Sequence, residues 1–293
     1  MTVYFEVLLS GVLVGGMYAL IGLGLTLVFG VSRIINFAHG DFVVVGMYAA
    51  IVVAGTGLDP YLTIPLVVVL MTAFGWVIAR GIIVHTMKHA SVVQIFVTIG
   101  LALVIQNGLL LIFGSQFRTV RTGLDRTVFS IGAFRIPATL LVAFLVAMTL
   151  TFGVLAYLKY TDFGRAIRAT AQERRSASLM GINTRKIDTA TFCIGTALTG
   201  VAGVLLLPVL PASPTAGISI NLIAFVVVVL GGLGSIPGVL AGGLIIGIVE
   251  SFSGYILGSG LRQIVYFVVF VLVIILRPSG LFGARGGQEV GFR

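Results

Sequence analysis

Charged residues are scarce in this chain of 293 residues: they make up 9 % of it, whereas soluble domains average about 25 %. Apolar residues reach 58 %, and the mean hydropathy is +1.18. No soluble core of this length could bury all the apolar runs, which include 222–230 and 264–276. The shortage of charge therefore excludes a soluble protein, and the lipid bilayer must be the solvent for most of the chain.

Cysteine and the common catalytic motifs are also missing. Cys193 is the single cysteine, which excludes a disulfide within the chain. The sequence has no GxxxxGK[ST] phosphate-binding loop, no G-x-S-x-G nucleophile elbow and no HExxH zinc motif. His85 and His89 are four residues apart, but no neighbouring cysteine or carboxylate completes a metal site. We therefore expect no metal, no cofactor and no enzymatic activity in this chain, which leaves a pore or a carrier.

Nine apolar runs approach the length that a helix needs to cross about 30 Å of hydrocarbon. The expected fold is an all-α polytopic transmembrane helical bundle, a single domain over 1–293, with nine spans or with eight if one short run is re-entrant. Met1–Glu6 contains no Lys or Arg, so we expect no cleaved signal peptide. The runs lie at 5–30, 35–55, 62–84, 92–114, 136–158, 187–209, 217–232, 237–256 and 262–277.

Basic residues are concentrated in one polar stretch, 159–188, which holds seven of the eighteen Lys and Arg residues. The positive-inside rule assigns such a loop to the cytoplasm. Alternating spans then place the N-terminus outside and the tail, 278–293, inside, with thirteen Lys and Arg on the cytoplasmic side and five outside. The arginines of 115–135 oppose this bias. The net charge of +9 therefore indicates orientation and contact with anionic lipid rather than with nucleic acid.

Polar stretches interrupt the apolar runs once in each half. The first break, 29–41, reads FGVSRIINFAHGD, and the second, 208–221, reads PVLPASPTAGISIN; a third, GGLGSIPG at 231–238, follows closely. Breaks at corresponding positions of two halves are typical of an inverted repeat with a transport site near the membrane midplane. The alternative for each break is an ordinary loop at the membrane surface.

We expect the first two breaks to line a translocation path, partly through backbone N–H groups that suit a carboxylate-bearing substrate. The predicted path residues are Asn36, His39, Gly40 and Asp41 in the first break and Thr215, Ala216 and Gly217 in the second. Ionisable groups within spans usually have a partner or a function. Glu250 is expected to pair with Arg262, and Gln106 and Asn107 to form interhelical hydrogen bonds.

Four blocks of sequence resemble the inner-membrane permeases of branched-chain amino acid ABC importers, in the order of that family. The resemblance covers nearly the whole chain, is closest to the Liv-type H subunit, and extends more loosely to urea and short-chain amide permeases. The blocks are GGMYALIGLGLTLVFGVSRIINFAHGDF, GRAIRATAQERRSASLMGIN, FVVVVLGGLGSIPGVLAGG and RPSGLFG.

The resemblance implies a multi-pass protein of the bacterial inner membrane that works as one part of an assembly. Its partners would be a homologous second permease subunit, two cytoplasmic ATPase subunits and a periplasmic substrate-binding protein. ATP and Mg²⁺ would be used by the ATPase subunits, which accounts for the missing phosphate-binding loop.

The resemblance also implies that 164–183 contains a coupling helix that docks in a groove of the ATPase. Loops of the family commonly carry an acidic residue before two alanines, whereas this chain has Arg175, Ser176 and Ala177, so a salt bridge specific to that position is not inferred. The expected coupling residues are Gly164, Arg165, Arg168, Arg175, Ala177, Leu179, Met180 and Gly181.

Two other classes of function remain open on the residues alone. A secondary carrier would work without partners, driven by an ion gradient. A passive channel would use the breaks as a selectivity filter. The substrate, the choice between a second copy and a homologue as the paired subunit, and the partner of 115–135 are not determined by the sequence.

Overall fold

The computed structural model describes residues 2–131 and 134–283 of the chain, and within them it is a helical bundle with one small hairpin. Residues 284–293 of the expected tail therefore lie outside the described residues. The helices are α1 (Thr2–Ser32), α2 (His39–Ala54), α3 (Pro60–Thr86), α4 (Ser91–Phe113), α5 (Ala138–Tyr160), α6 (Asp162–Gln172), α7 (Arg174–Leu179), α8 (Thr184–Leu206), α9 (Ala216–Gly231), α10 (Ile236–Leu257) and α11 (Arg262–Leu276). The antiparallel hairpin consists of β1 (Val128–Ile131) and β2 (Phe134–Pro137).

Helix α3 and the start of α11 have local irregularities. Helix α3 joins a 3-10 turn (Pro60–Thr63), an α-helix (Ile64–Ile78), a π turn (Ala79–Ile83) and a final α turn (Val84–Thr86). A 3-10 turn (Ser259–Leu261) precedes α11. The hairpin was not predicted, because its strands have four residues each and β2 ends at Pro137, directly before α5 begins at Ala138.

All nine expected spans correspond to helices, so the predicted all-α transmembrane bundle is confirmed. Within the described residues, α1, α3, α4, α5, α8 and α10 are long and apolar enough to cross a membrane, and α2, α9 and α11 are shorter apolar helices. Helices α2 and α9 have 16 residues each. At about 1.5 Å per residue they measure roughly 24 Å, less than the hydrocarbon thickness of about 30 Å.

Helices α1 and α8 form the centre of the bundle. The most apolar part of α1 is 83 % buried and that of α8 is 72 % buried, whereas α4 is 17 % buried. The exposed side chains of the outer helices are mostly large and apolar, including Phe96, Val104 and Leu111 on α4. Because lipid tails solvate such side chains, the outer helices do not need protein partners on every side.

The two ends of the bundle differ in charge. Ser32, the last residue of α1, donates a hydrogen bond to Asp188 at the start of α8 (3.0 Å), so α1 ends where α8 begins. We call the end of the bundle that carries α6 and α7 the basic face, and the other end the opposite face. The opposite face carries the hairpin and the 114–127 segment, whose Arg118 forms a β-bridge with Ala212.

The two halves of the chain repeat the same elements in inverted orientation. A long helix (α1 or α8), a break and a 16-residue helix (α2 or α9) follow one another in each half, with a constant offset of 177 residues between His39 and Ala216 and between Ala54 and Gly231. Helix α1 packs on α10 as α8 packs on α3, and α2 packs on α8 as α9 packs on α1. Since α1 runs toward the basic face and α8 runs away from it, this is the inverted repeat that the breaks predicted.

Helices α1 and α10 are in contact backbone to backbone through glycine. A β-carbon at Gly15 would lie 2.7 Å from the Gly243 carbonyl oxygen, and one at Gly11 would lie 2.7 Å from the Ile248 Cα. Such distances are too short for any side chain. In a membrane, small residues allow this close approach and the dispersion contacts that hold helices together.

Replacing Gly15 with valine should separate α1 from α10 and destabilise the bundle. We expect the cost of overpacking to be about 1–3 kcal/mol or more, seen as a lower thermal unfolding midpoint in detergent. The control is Gly100→Val on the exposed surface of α4, where a β-carbon meets nothing within 4 Å. Equal unfolding midpoints for the two variants would contradict the backbone contact.

Candidate functional site

The two breaks meet inside the bundle, where the first turns of α2 and α9 touch. A β-carbon at Gly40 would lie 2.6 Å from the backbone nitrogen of Asn221, and one at Gly217 would lie 3.1 Å from the Asp41 Cα. Gly40 and Gly217 are therefore required for this contact, and they are themselves 177 residues apart. We call this contact the half-helix junction, formed by 36–41 and 213–221.

The position of His39 shows how deep the junction lies. Its Nε2 donates to the backbone oxygen of Ile21 (2.9 Å), because a carbonyl can only accept. Ile21 lies about three turns before the end of α1, roughly 16 Å along the helix axis. The chain from Arg33 to Ala38 therefore returns from the basic face into the interior before α2 begins.

The first break satisfies its own backbone with a polar side chain. The Oδ1 of Asn36 accepts from the backbone N–H of Ala38 (3.0 Å), and the Asn36 backbone oxygen accepts from the N–H of His39 (3.3 Å). Asn36, His39 and Asp41 are each no more than 2 % exposed. The polar residues of the break are thus part of the packed interior and not of a solvated surface loop.

Asn221 of α9 bridges the two halves. Its Oδ1 accepts from the backbone N–H of Gly40 (3.1 Å), and its Nδ2 donates to the backbone oxygen of Phe37 (2.9 Å). The Phe37 and Phe225 rings pack beside this bridge with centroids 5.2 Å apart. Asn221 was not among the predicted path residues. An amide side chain in an apolar run just after Gly217 could have indicated that it has a polar partner inside the bundle.

Asp41 faces α4 as well as α9. Gln106 donates from Nε2 to Asp41 Oδ1 (3.2 Å), which confirms the interhelical hydrogen bond expected of Gln106. Asn107 instead donates to Leu103 within its own helix and is exposed, so that expectation is wrong for Asn107. A polar side chain on an outer helix can satisfy itself on the preceding turn, and this pairing needs no second helix.

The second break contributes fewer polar side chains to the junction. The N–H of Ala216 donates to the Ser213 oxygen (3.1 Å), which starts α9, and Ala216 is half-buried. Thr215 is exposed, and Gly217 is buried against Asp41. The structure therefore brings together Asn36, His39, Gly40, Asp41 and Gly217 with the unpredicted Asn221, and it leaves Thr215 at the surface.

A second candidate region is the basic face, where α6 and α7 form a surface with an apolar tip. Leu179 and Met180 are 82 % and 83 % exposed at the end of α7. Gly181 follows with a left-handed backbone (φ 85°), and its N–H and that of Ile182 donate to Ser178 and Ala177, which closes the helix in a Schellman motif. We call 162–182 the docking unit.

The remaining predicted coupling residues divide between the surface and the interior of the docking unit. Arg165, Arg168 and Arg175 are exposed, and Arg165 pairs with Asp162. Gly164 is buried, and a β-carbon there would lie 2.6 Å from the Leu158 Cα at the end of α5. Ala177 is 5 % exposed. Gly164 and Ala177 thus support the surface from within, and Ala177 does not offer the small surface group that was expected of it.

The docking unit is tied directly to the first break. Arg174 forms a two-point ion pair with the buried Asp188, whose Oδ1 also accepts from Ser32 at the end of α1. Arg33, the next residue, has a left-handed backbone (φ 56°) and donates to the Ala171 oxygen at 3.4 Å. Side-chain contacts therefore connect α6 and α7 to Ser32 and Arg33 of the first break.

Metal-binding side chains do not cluster in the part of the chain that the structure describes. Among residues 2–131 and 134–283, no group of three or more His, Cys, Asp or Glu side chains could hold a metal ion. His89 Nδ1 lies 3.2 Å from the His85 backbone oxygen, so one ring nitrogen of that pair is already engaged.

Comparison with known proteins gives one consistent result. The model of the family described as "branched-chain amino acid transport system / permease component" matches residues 7–275. A high-affinity branched-chain amino acid transport system permease protein from Pseudomonas aeruginosa, BraD, is 33 % identical, with 98 % of each chain covered. Its counterpart LivH from Escherichia coli K12 is also 33 % identical over 98 % of both chains.

A ribose import permease protein from Haemophilus influenzae, RbsC, is 29 % identical and covers 90 % of this chain and 82 % of its own. No solved structure gives a significant match.

Replacing Asn221 with leucine should destabilise the half-helix junction. The variant leaves the Gly40 N–H and the Phe37 oxygen without partners, and each buried unpaired group costs about 1–3 kcal/mol. Thermal unfolding of the purified protein measures the loss. Asn107→Leu is the matched control, because that amide is exposed and bonds only within α4. If both leucine variants unfold at the same temperature, the bridge contributes nothing.

Proposed function

Because this chain belongs to the branched-chain amino acid transport system permease family, we propose that it forms half of the translocation path of an ATP-binding-cassette importer for branched-chain or other hydrophobic amino acids. The observation that carries the proposal is the match over nearly the whole chain to permeases named for that transport system. The chain is a transporter subunit and not an enzyme.

The partners in this proposal are those that the resemblance implies. A homologous second permease subunit supplies the other half of the path, two cytoplasmic ATPase subunits use ATP and Mg²⁺, and a periplasmic binding protein delivers the substrate. The exposed apolar pair Leu179 and Met180, at the end of the short helix that carries the exposed Arg175, supports an ATPase contact, because large exposed apolar side chains outside the lipid mark protein interfaces.

The orientation follows from charge. The basic face lies in the cytoplasm, since thirteen of the eighteen Lys and Arg residues belong to that side. The N-terminus and the 114–137 segment are then periplasmic. The four arginines of that segment, which are exposed, face the side from which a binding protein would approach.

The mechanism that this arrangement supports is a mechanical one. ATP-driven closure of the ATPase pair moves the docking unit, and the contacts of Asp188 with Arg174 and Ser32 pass the movement to the end of α1. The half-helix junction is the place where the two inverted halves can change their relative tilt, because both helices start there and contact each other through glycine.

The junction residues have two roles in this proposal. Asn36, His39, Gly40, Asp41 and Gly217 hold the wall of the path, since they are buried and make hydrogen bonds or backbone contacts within one chain. Thr215 and Ala216 lie at the accessible side of the second break and face the passing substrate.

The substrate needs its own test, because a permease named for ribose import is 29 % identical to this chain and the match covers 90 % of it. Radiolabelled leucine uptake into proteoliposomes containing both permeases, the ATPase and the binding protein tests it. We expect saturable uptake that requires ATP and the binding protein, with no competition by urea or acetamide. Uptake by the permease alone under an ion gradient would support a secondary carrier, and unsaturable flux would support a channel.

Replacing Leu179 with glutamate should reduce ATP-driven uptake by about tenfold or more, because a charge would be buried in the ATPase contact. The amount of ATPase that copurifies with the permease measures the contact directly. Phe117→Glu is the control, since Phe117 is 75 % exposed but lies on the opposite face. An unchanged amount of ATPase with the Leu179 variant would contradict the docking assignment.

Cysteine labelling tests the orientation. In a Cys193→Ala background, Arg175→Cys should react with a membrane-impermeant maleimide only in inside-out vesicles. Arg121→Cys, on the opposite face, should react in spheroplasts. Labelling of position 175 from the periplasm would reverse the orientation and remove the ATPase from the proposal.

A further inference from the structure

A cavity of about 630 Å³ lies on the opposite face, between the outer part of α1, the end of α8, the start of α9 and the end of α10. It is distinct from the buried junction, although the first turns of α9 form part of its wall. Its volume is in the range of small-molecule sites, about 300–1,000 Å³. Half of the lining residues are aliphatic: Val3, Val7, Val14, Ile21, Leu206, Val209, Leu210, Ile220 and Ile223.

Two opposite charges line this cavity without contacting each other. Glu250 of α10 has an enclosed carboxylate oxygen, Oε2, with no hydrogen-bond partner in the structure. Arg262 at the start of α11 packs its guanidinium against Gly254 and is exposed. The ion pair expected between them is not formed, because neither belongs to the two ion pairs found in the described part of the chain.

The surroundings of the two charges leave them available to a ligand. The Tyr18 hydroxyl is a hydrogen-bond partner of the Glu250 carboxylate, and Oε2 of that carboxylate is the oxygen that stays unpaired. Glu6, the other acid of the lining, already accepts from the Arg135 backbone N–H (3.1 Å). A buried carboxylate oxygen without a partner is costly, and an ionisable group within a span usually marks a functional site.

The chemistry that fits is a small zwitterion with an aliphatic side chain. An ammonium group provides hydrogen-bond donors for Glu250, a carboxylate matches the planar guanidinium of Arg262, and the aliphatic lining accepts an apolar side chain. A bare metal cation fits poorly, since no three acidic or metal-binding side chains converge in the described part of the chain.

We propose that this cavity is a binding site for an aliphatic amino acid, with Glu250 binding its ammonium group and Arg262 its carboxylate. The inference rests on the proposed function and adds that the permease itself holds the substrate after delivery, with its own selection for a zwitterion. Transport would then be selective at two stages, the binding protein and this cavity.

The test is direct binding of radiolabelled leucine to the purified permease–ATPase complex without the binding protein. We expect saturable binding that isopentylamine and 4-methylpentanoate, which each lack one charged group, displace at least about tenfold more weakly than leucine does. This comparison uses the wild-type complex and needs no variant to fold.

Variants assign the two charges. Glu250→Gln should weaken leucine binding about tenfold and abolish the advantage of leucine over 4-methylpentanoate, whereas Arg262→Gln should abolish its advantage over isopentylamine. Glu6→Gln is the matched control. It removes the same charge from the same cavity, but the Glu6 carboxylate already accepts a hydrogen bond from the Arg135 N–H. Leucine binding should therefore weaken less than about threefold in this variant. The assignment would be overturned if Glu250→Gln and Glu6→Gln weakened leucine binding equally, or if Glu250→Gln did not weaken it.

The outcomes separate this inference from the proposed function. If the complete wild-type system takes up leucine but the complex alone does not bind it, the cavity site is wrong and the importer stands. If the system takes up no amino acid, the proposed function fails. Displacement of bound leucine by phosphatidylethanolamine, but not by phosphatidylglycerol, would assign the cavity to a lipid headgroup and overturn the proposal.

Discussion

Satisfaction of backbone hydrogen bonds inside the membrane is the constraint on which this structure depends. A helix meets it automatically, but a chain that breaks at depth must find other partners. Here the first break uses Asn36 for its own turn, and Asn221 from the other half for the Gly40 N–H and the Phe37 oxygen. The break is therefore stable only when the two halves are assembled, and this makes the repeat a single cooperative unit.

Glycine allows the two halves to pack together because it has no side chain. Gly40 and Gly217 allow two helix starts to touch, and Gly11 and Gly15 allow α1 to lie against α10. Close contact replaces the hydrophobic effect, which gives no preference between helix and lipid. Among the described residues, the buried side chains with an amide, imidazole or carboxylate group lie at the junction or in the tie of the docking unit to α1.

These places lie along one line of mechanical connection. The docking unit is attached to Ser32 and Arg33 of the first break, and the second break meets the first at Gly217. The cavity adjoins the second break from the opposite face. A short series of contacts within one chain therefore connects the basic face with the cavity on the opposite face.

The sequence by itself determined the membrane environment, the nine apolar helices, the two breaks and the surface with Arg175, Leu179 and Met180, because each follows from local composition and spacing. It identified His39, Asp41 and Gly217 as unusual for the same reason. Only the tertiary structure decided what these residues contact: that Asn221 completes the first break, that Gly164 and Ala177 are buried, and that Glu250 and Arg262 line a cavity without forming an ion pair. Local composition sets which segments leave water, but contacts between residues 156 or 184 positions apart depend on how helices cross, and helix crossing is fixed by the packing of both halves at once.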